Sequence, residues 1–175
     1  MLGLPGSAYI YQGEELGLPE HTTLAPGFRQ DPTFFRTGGK RVGRDGCRVS
    51  LPWEAGLGAA NGFNATGASW LPQPDSYREY SRNLQEGVAG STLELYKQAL
   101  GLRRQLKLGE GSFQWVGDYV GENLLGYRNG DILVIHNFGH APAELPAGEI
   151  IASSLHGMKQ GHVLASDQTV WIKLA

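Results

Sequence analysis

Residues 17 to 75 are crowded with Gly, Pro, Asn, Asp and Thr, the composition of one long irregular connection and not of a domain. Loops longer than about 15 residues are uncommon in compact domains, and those that occur are functional or disordered. A connection of this length asks for a large scaffold beneath it, and the remainder of a 175-residue chain does not supply one. A complete (β/α)8 barrel, which takes about 250 residues, does not fit. With 41% hydrophobic and 18% charged residues, one or two small cores do.

On either side of the connection the pattern is regular. Ala8-Tyr9-Ile10-Tyr11 is a short apolar, β-prone run bounded by Pro5-Gly6 and Gly13, which predicts a buried strand that needs neighbours on both edges. Ser91-Thr92-Leu93-Glu94 has the form of a capping box. A helix of about four turns is predicted from there. Its apolar stripe is Leu93, Tyr96, Leu100 and Leu106, with Glu94, Lys97, Gln98, Arg104 and Gln105 largely off it. Gly101 inside this helix costs roughly 1 kcal/mol relative to Ala.

From residue 112 the period changes to two, with Phe113, Trp115 and Gly117 alternating with Gln114, Val116 and Asp118. Asn129-Gly130 lies between the runs 124–127 and 132–135 and predicts a hairpin with a two-residue type I′ turn. Further strands are expected at 144–145, 149–153 and 169–174. Residues 112 to 175 thus read as a small antiparallel sandwich or meander. Its expected core is Trp115, Leu125, Tyr127, Leu133, Ile135, Ile151 and Trp171.

Net charge is −2 and the isoelectric point about 6.2, with Lys and Arg scattered, so neither a nucleic-acid surface nor an anionic-membrane surface is indicated. The expected partner is neutral. Cys47 is the single cysteine, which excludes an internal disulfide and a cysteine-based zinc site and agrees with a reducing compartment. The first residues, Met1-Leu2-Gly3-Leu4-Pro5, are too short and too poor in basic residues for a signal peptide, and no run reaches the ~18 apolar residues of a membrane span. A cytoplasmic location is expected, which leaves the Asn64-Ala65-Thr66 sequon unused.

Tyr9-Ile10-Tyr11-Gln12-Gly13-Glu14-Glu15, then Gly43-Arg44-Asp45-Gly46-Cys47-Arg48-Val49, Leu51-Pro52-Trp53 and Trp70-Leu71-Pro72-Gln73-Pro74, stand in an order and spacing that resemble the α-glucosidases of glycoside hydrolase family 13, the α-amylase superfamily. The likeness covers most of residues 4 to 107 and matches the eighth barrel strand, its long loop and, at Ala99-Leu100-Gly101-Leu102-Arg103-Arg104, the eighth barrel helix. The expected fold is therefore mixed α+β: the end of a (β/α)8 barrel in residues 1–107, followed by a small antiparallel β-sandwich domain in residues 108–175. Ser50 stands where related sequences usually carry Pro, and Phe35 fills a position that is often charged.

The resemblance implies cleavage of a terminal α-linked glucose from an oligosaccharide, with retention, by an Asp nucleophile, a Glu acid/base and a third Asp that all precede the eighth strand. No catalytic residue can be carried over to this sequence, and the chain by itself is expected to be inactive. Glu14 and Glu15 cannot replace them. Retention needs two carboxyls about 5 Å apart across a sugar, whereas consecutive residues at a strand end point to opposite faces. One is expected to bond loop backbone and the other to face outward.

Arg44 is the substrate-binding candidate that the resemblance implies, at the floor of the glucose pocket of the parent enzyme and paired with an Asp of an early barrel loop; a guanidinium can hold a carboxylate and sugar hydroxyls together, whereas in this chain, without that Asp, Arg44 is expected to satisfy local carbonyls. Asp45 and Arg48 are read as folding the loop, and Cys47 as a small buried hydrophobe. His136 and His140 are read as structural, with no metal and no cofactor expected. Trp53, Trp70, Tyr77 and Tyr80 are expected to cover core. Two alternatives remain: a carbohydrate-binding or interaction module built on the β domain, and the tail of a transglycosylase such as a trehalose synthase. The apolar run at 8–11, without barrel neighbours, is expected to favour a homo-oligomer.

Overall fold

The computed structural model describes residues 1–157 and 163–174. By their contacts they form two compact units, Ile10–Leu93 on the one hand and Met1–Tyr9 with Glu94–Ala175 on the other.

The unit Ile10–Leu93 contains two short helices, α1 (Pro32–Arg36) and α2 (Arg82–Gln85), single 3₁₀ turns at Glu14–Leu16, Pro26–Phe28 and Asp45–Cys47, and a longer 3₁₀ segment at Asp75–Tyr80. Its apolar core is small: Leu24, Val49, Leu71 and Tyr77, with Leu18 against them. A segment with so little regular structure must satisfy its backbone groups by other means, and here buried side chains do so. Gln85 donates to the carbonyls of Leu16 (2.9 Å) and Tyr80 (3.0 Å) and accepts from Leu93 N. Asn61 donates to Gln73, whose amide donates in turn to Ser50 O at 3.0 Å. The Tyr77 hydroxyl, pushed up to about 12 chiefly by burial, donates to Pro19 O at 2.8 Å. The Gly- and Pro-rich stretch is thus a folded loop with polar staples.

The strand predicted at Ala8–Tyr11 is absent. These residues pair with no strand, and Tyr9, Ile10 and Tyr11 are exposed, Tyr9 by 83%. A β run is stabilised by ladders on its edges, and no described strand offers one to residues 8–11.

In the other unit a five-stranded antiparallel sheet has the order β1-β2-β3-β7-β5, and β4-β6 form a separate pair. The strands are β1 Phe113–Val120, β2 Leu124–Asn129, β3 Ile132–Asn137, β4 Ala143–Glu144, β5 Glu149–Ser153, β6 Val163–Leu164 and β7 Gln168–Lys173. Alternate residues of β3 enter two different cores. Ile132 and Val134 meet Tyr127, Trp171, Ala152, Leu108 and Ala99 of the helix α3 (Thr92–Gln105). Leu133 and Ile135 meet Val170, Ile172, Leu145 and Leu164. The sheet is covered on both faces, which is why 132–135 is continuously apolar and does not alternate.

Details depart from expectation. On α3 Ala99 is buried, with Leu102 and the predicted Leu106 partly buried against the same core, whereas Leu100, placed in the stripe by the sequence, is 41% exposed. Trp115 is 53% exposed, not core, because β1 is an edge strand whose register shifts between Trp115 and Val120. Leu125 and Ile151 are half-buried. The β2–β3 hairpin has the predicted two-residue loop, but Asn129 pairs with Ile132, so the loop is Gly130-Asp131. Only Gly130 has positive φ (59°), the φ pattern of a type II′ turn, since type I′ needs it at both central residues. Asn129 is buried in β2 instead and donates to Gly3 O and Leu108 O, each at 2.9 Å.

Candidate functional site

The segment around Arg44 is built on two buried carboxylates. Asp31 caps α1: its Oδ1 accepts from Thr33 N at 2.8 Å, with Pro32 preset for the first helical position. Its Oδ2 accepts from Arg44 N at 3.0 Å. Asp45 returns the connection, its Oδ2 accepting from the backbone N–H of Gln30 and Asp31, each at 2.9 Å. Arg48 stands near both, Nη1 at 3.9 Å from Asp31 and 3.5 Å from Asp45. The backbone N–H donors of Thr33 and Arg44, then the Thr33 side chain and Arg48, hold the Asp31 carboxyl down at about 2.

Close approach explains the glycines. Gly43 has φ 71°, and a Cβ there would lie 2.6 Å from Asp31 Cβ; at Gly46 it would lie 2.6 Å from His21 O. Beneath them the buried Arg29 donates to Val42 O and Thr22 O, both at 2.9 Å, and lies 5.6 Å over the Phe34 ring. Asp45 and Arg48 fold the loop, as the sequence indicates. Arg44 has its backbone N–H committed to Asp31, while its side chain is exposed and has no hydrogen bond or ion pair among the described residues. It borders a depression formed with Thr33, Lys40, Arg41, Val42 and Gly43.

Glu15 accepts from Gly13 N at 2.9 Å and Glu14 is exposed, the division expected of that pair, though on a 3₁₀ turn and not a strand end. Cys47 is exposed, contrary to expectation: it closes the turn Asp45–Cys47, and its outward position follows from Asp45 and Gly46 taking the buried side. Of the four aromatics, Tyr77 is core and Tyr80 half-buried, but Trp53 (44%) and Trp70 (70%) are exposed, because the small core has no room for them. His136 bonds Thr169 Oγ1 through Nδ1 at 2.8 Å and His140 is exposed; among the described residues no three His, Cys, Asp or Glu gather as metal ligands would.

Asp31 and Arg29 escaped the sequence reading. Asp31-Pro32-Thr33 carried a usable signal, an N-cap residue before a Pro at the first helical position. The reach of Arg29 to Val42, thirteen residues on, carried none. Chemically, Asp31 is a carboxylate saturated by N–H donors and held low. It serves as an anchor, since a general acid needs its pKa raised toward the working pH.

The chain belongs to the alpha-amylase family, whose catalytic-domain model matches residues 1–111. It is 31% identical over 163 residues to a probable alpha-glucosidase of Rhizobium meliloti (strain 1021), covering 90% of this chain and 29% of that protein. To Maltase 1 of Drosophila virilis it is 30% identical over 116 residues, 65% of this chain and 18% of that one. Among solved structures, the alpha-glucosyl transfer enzyme XgtA superposes with a TM-score of 0.77 at 32% identity, covering 98% of this chain and 33% of that one. An isomaltulose synthase from Klebsiella sp. LX3 shares the fold, with a TM-score of 0.81 at 22% identity over 99% of this chain and 36% of that one. The chain therefore spans about a third or less of the relatives it matches.

Proposed function

We propose that the chain is the C-terminal portion of an α-glucosidase-type enzyme that releases terminal α-linked glucose from oligosaccharides with retention, in the cytoplasm. In this reading residues 1–107 complete a (β/α)8 barrel and residues 108–175 form its appended β domain. The observation that carries it is the Arg44 loop: within the family-matched segment, two buried carboxylates and two close-packed glycines hold the backbone so that the Arg44 guanidinium is presented without a hydrogen-bond partner among the described residues. Arg44 then binds the non-reducing glucose together with a carboxylate from chain outside these residues.

By themselves residues 1–175 do not turn over a glucoside. In this reading the Asp nucleophile and the Glu acid/base of the retaining pair belong to chain outside these residues, while Glu15, Asp31 and Asp45 are engaged by backbone N–H groups and serve the loop. The test is release of p-nitrophenol from p-nitrophenyl α-glucoside by the purified chain; a rate above buffer that is lost with Arg44→Ala would overturn the inactivity.

Glucosyl transfer in place of hydrolysis is the second reading, favoured by the 32% identity to a glucosyl transfer enzyme. Product analysis on maltose with the full-length enzyme separates the two, free glucose alone supporting hydrolysis. The reading also has the exposed run Tyr9-Ile10-Tyr11 pairing with a second copy when it is not paired within a barrel.

A further inference from the structure

Residues 29–48 hold six of the chain's 15 Lys and Arg but only two of its 17 carboxylates. Both carboxylates, Asp31 and Asp45, are buried and spent on backbone N–H groups. Of the cations, Arg29 is buried on the carbonyls of Val42 and Thr22, and Arg48 stands near the two carboxylates. The other four, Arg36, Lys40, Arg41 and Arg44, are exposed, and their side chains have no hydrogen bond or ion pair among the described residues. The net charge of −2 conceals this local excess. Like charges so close in the chain repel one another, a standing cost that a bound anion relieves.

Lys40, Arg41 and Arg44 border one depression, with Thr33, Val42 and Gly43. The turn beneath it is fixed through its backbone. Lys40 N donates to Thr37 O at 3.2 Å and Arg41 N to Thr37 Oγ1 at 3.0 Å, while Val42 O is held by Arg29 and Arg44 N by Asp31. The positions from which the three cations reach are therefore set before any ligand arrives, which lowers the ordering cost of binding. A carboxylate would bring them one charge and two oxygens; a phosphate monoester brings nearly two charges and three oxygens, enough to engage three cations at once. Confined to residues 36–44, the unbonded cations suit one such group and not the long stripe along which a polyanion lies.

We infer that this depression binds the phosphate group of a small molecule, its oxygens accepting from Lys40, Arg41 and Arg44. The site shares Arg44 with the proposed glucose site, so where that reading holds the phosphate is carried by the substrate; the binding itself does not rest on it. The test is titration of the whole chain with glucose 6-phosphate and with inorganic phosphate, following the Gly43 amide by NMR, with glucose and acetate as controls. Both phosphates are expected to shift the amide saturably, binding more weakly at about 300 mM than at about 20 mM NaCl, and glucose and acetate to shift it little. Tighter binding of glucose 6-phosphate assigns the site to a sugar phosphate, and equal or tighter binding of inorganic phosphate assigns it to the free anion; either outcome supports it. Lys40→Gln and Arg41→Gln are each expected to weaken binding about fivefold, the effect of one hydrogen bond, and together roughly twentyfold. Their thermal midpoints should not move, because both side chains are exposed and make no internal bond. Arg104→Gln, which removes an exposed cation of the other compact unit, is expected to leave the titration unchanged. Turnover of p-nitrophenyl α-glucoside by the full-length enzyme reads the glucosidase separately, and its absence leaves this titration standing. No saturable shift, glucose or acetate binding as well as phosphate, undiminished binding in the double variant, or tighter binding of a dT oligonucleotide that grows with its length would overturn the site.

Discussion

Asp31 joins three parts of the Arg44 loop through two oxygens, and its chemistry makes a pH signature. Its ordinary value of 3.8 falls to about 2 in the folded chain. A carboxyl depressed by folding contributes stability that is complete above about pH 4 and is lost as the pH falls through about 2. Unfolding midpoints measured across that window should therefore drop more steeply for the native chain than for Asp31→Asn, which has no carboxyl to titrate. Asp45→Ala strands the N–H groups of Gln30 and Asp31 and should cost about 2 kcal/mol by urea titration. Arg48→Ala should cost under about 1 kcal/mol, because Arg48 is 43% exposed and its ion pairs are long. The role of Asp45 was legible because an Asp followed by Gly, as in Asp45-Gly46, is a turn former wherever it stands. The second bond of Asp31, to a residue thirteen positions on, was not.

Helix α3 and the β2–β3 hairpin carry opposite lessons about glycine. Gly101 sits in α3 with open space where a Cβ would go, so Gly101→Ala should stabilise by about 0.5–1 kcal/mol, seen as a raised thermal midpoint. Gly130 has φ 59°, and Gly130→Ala should destabilise by about 1 kcal/mol. The helix, the hairpin and the strand at 149–153 were readable because propensity and short-range pairing act within a few residues. The phase of the α3 stripe was not, since Leu100 and Ala99 are both compatible with a helical period. The choice between them rests on Leu108, Tyr127 and Trp171, which meet Ala99 only once the sheet has formed. The short strand β6 was missed because two residues contain too little pattern to recognise.

The chain as a whole leaves Tyr9, Ile10 and Tyr11 in water, 83%, 37% and 49% exposed. If this run pairs with a second copy, light scattering should show mass rising with concentration, and replacing all three by Ser should return a monomer; unchanged mass in both chains would contradict the pairing. Read from composition and motif alone, the chain already declared its family, its helix at 92–105, its β-rich region from residue 112 on and a long loop built for turns, because those properties are written in residue type and in spacings of two to four. What awaited the assembled molecule was which apolar residues find cover, as Trp115, Leu100 and the run at 8–11 show, and which polar ones staple the loop. Those outcomes depend on partners far off in the chain, 69 residues from Gln85 to Leu16 and 126 from Asn129 to Gly3, and no local pattern encodes a contact at that distance.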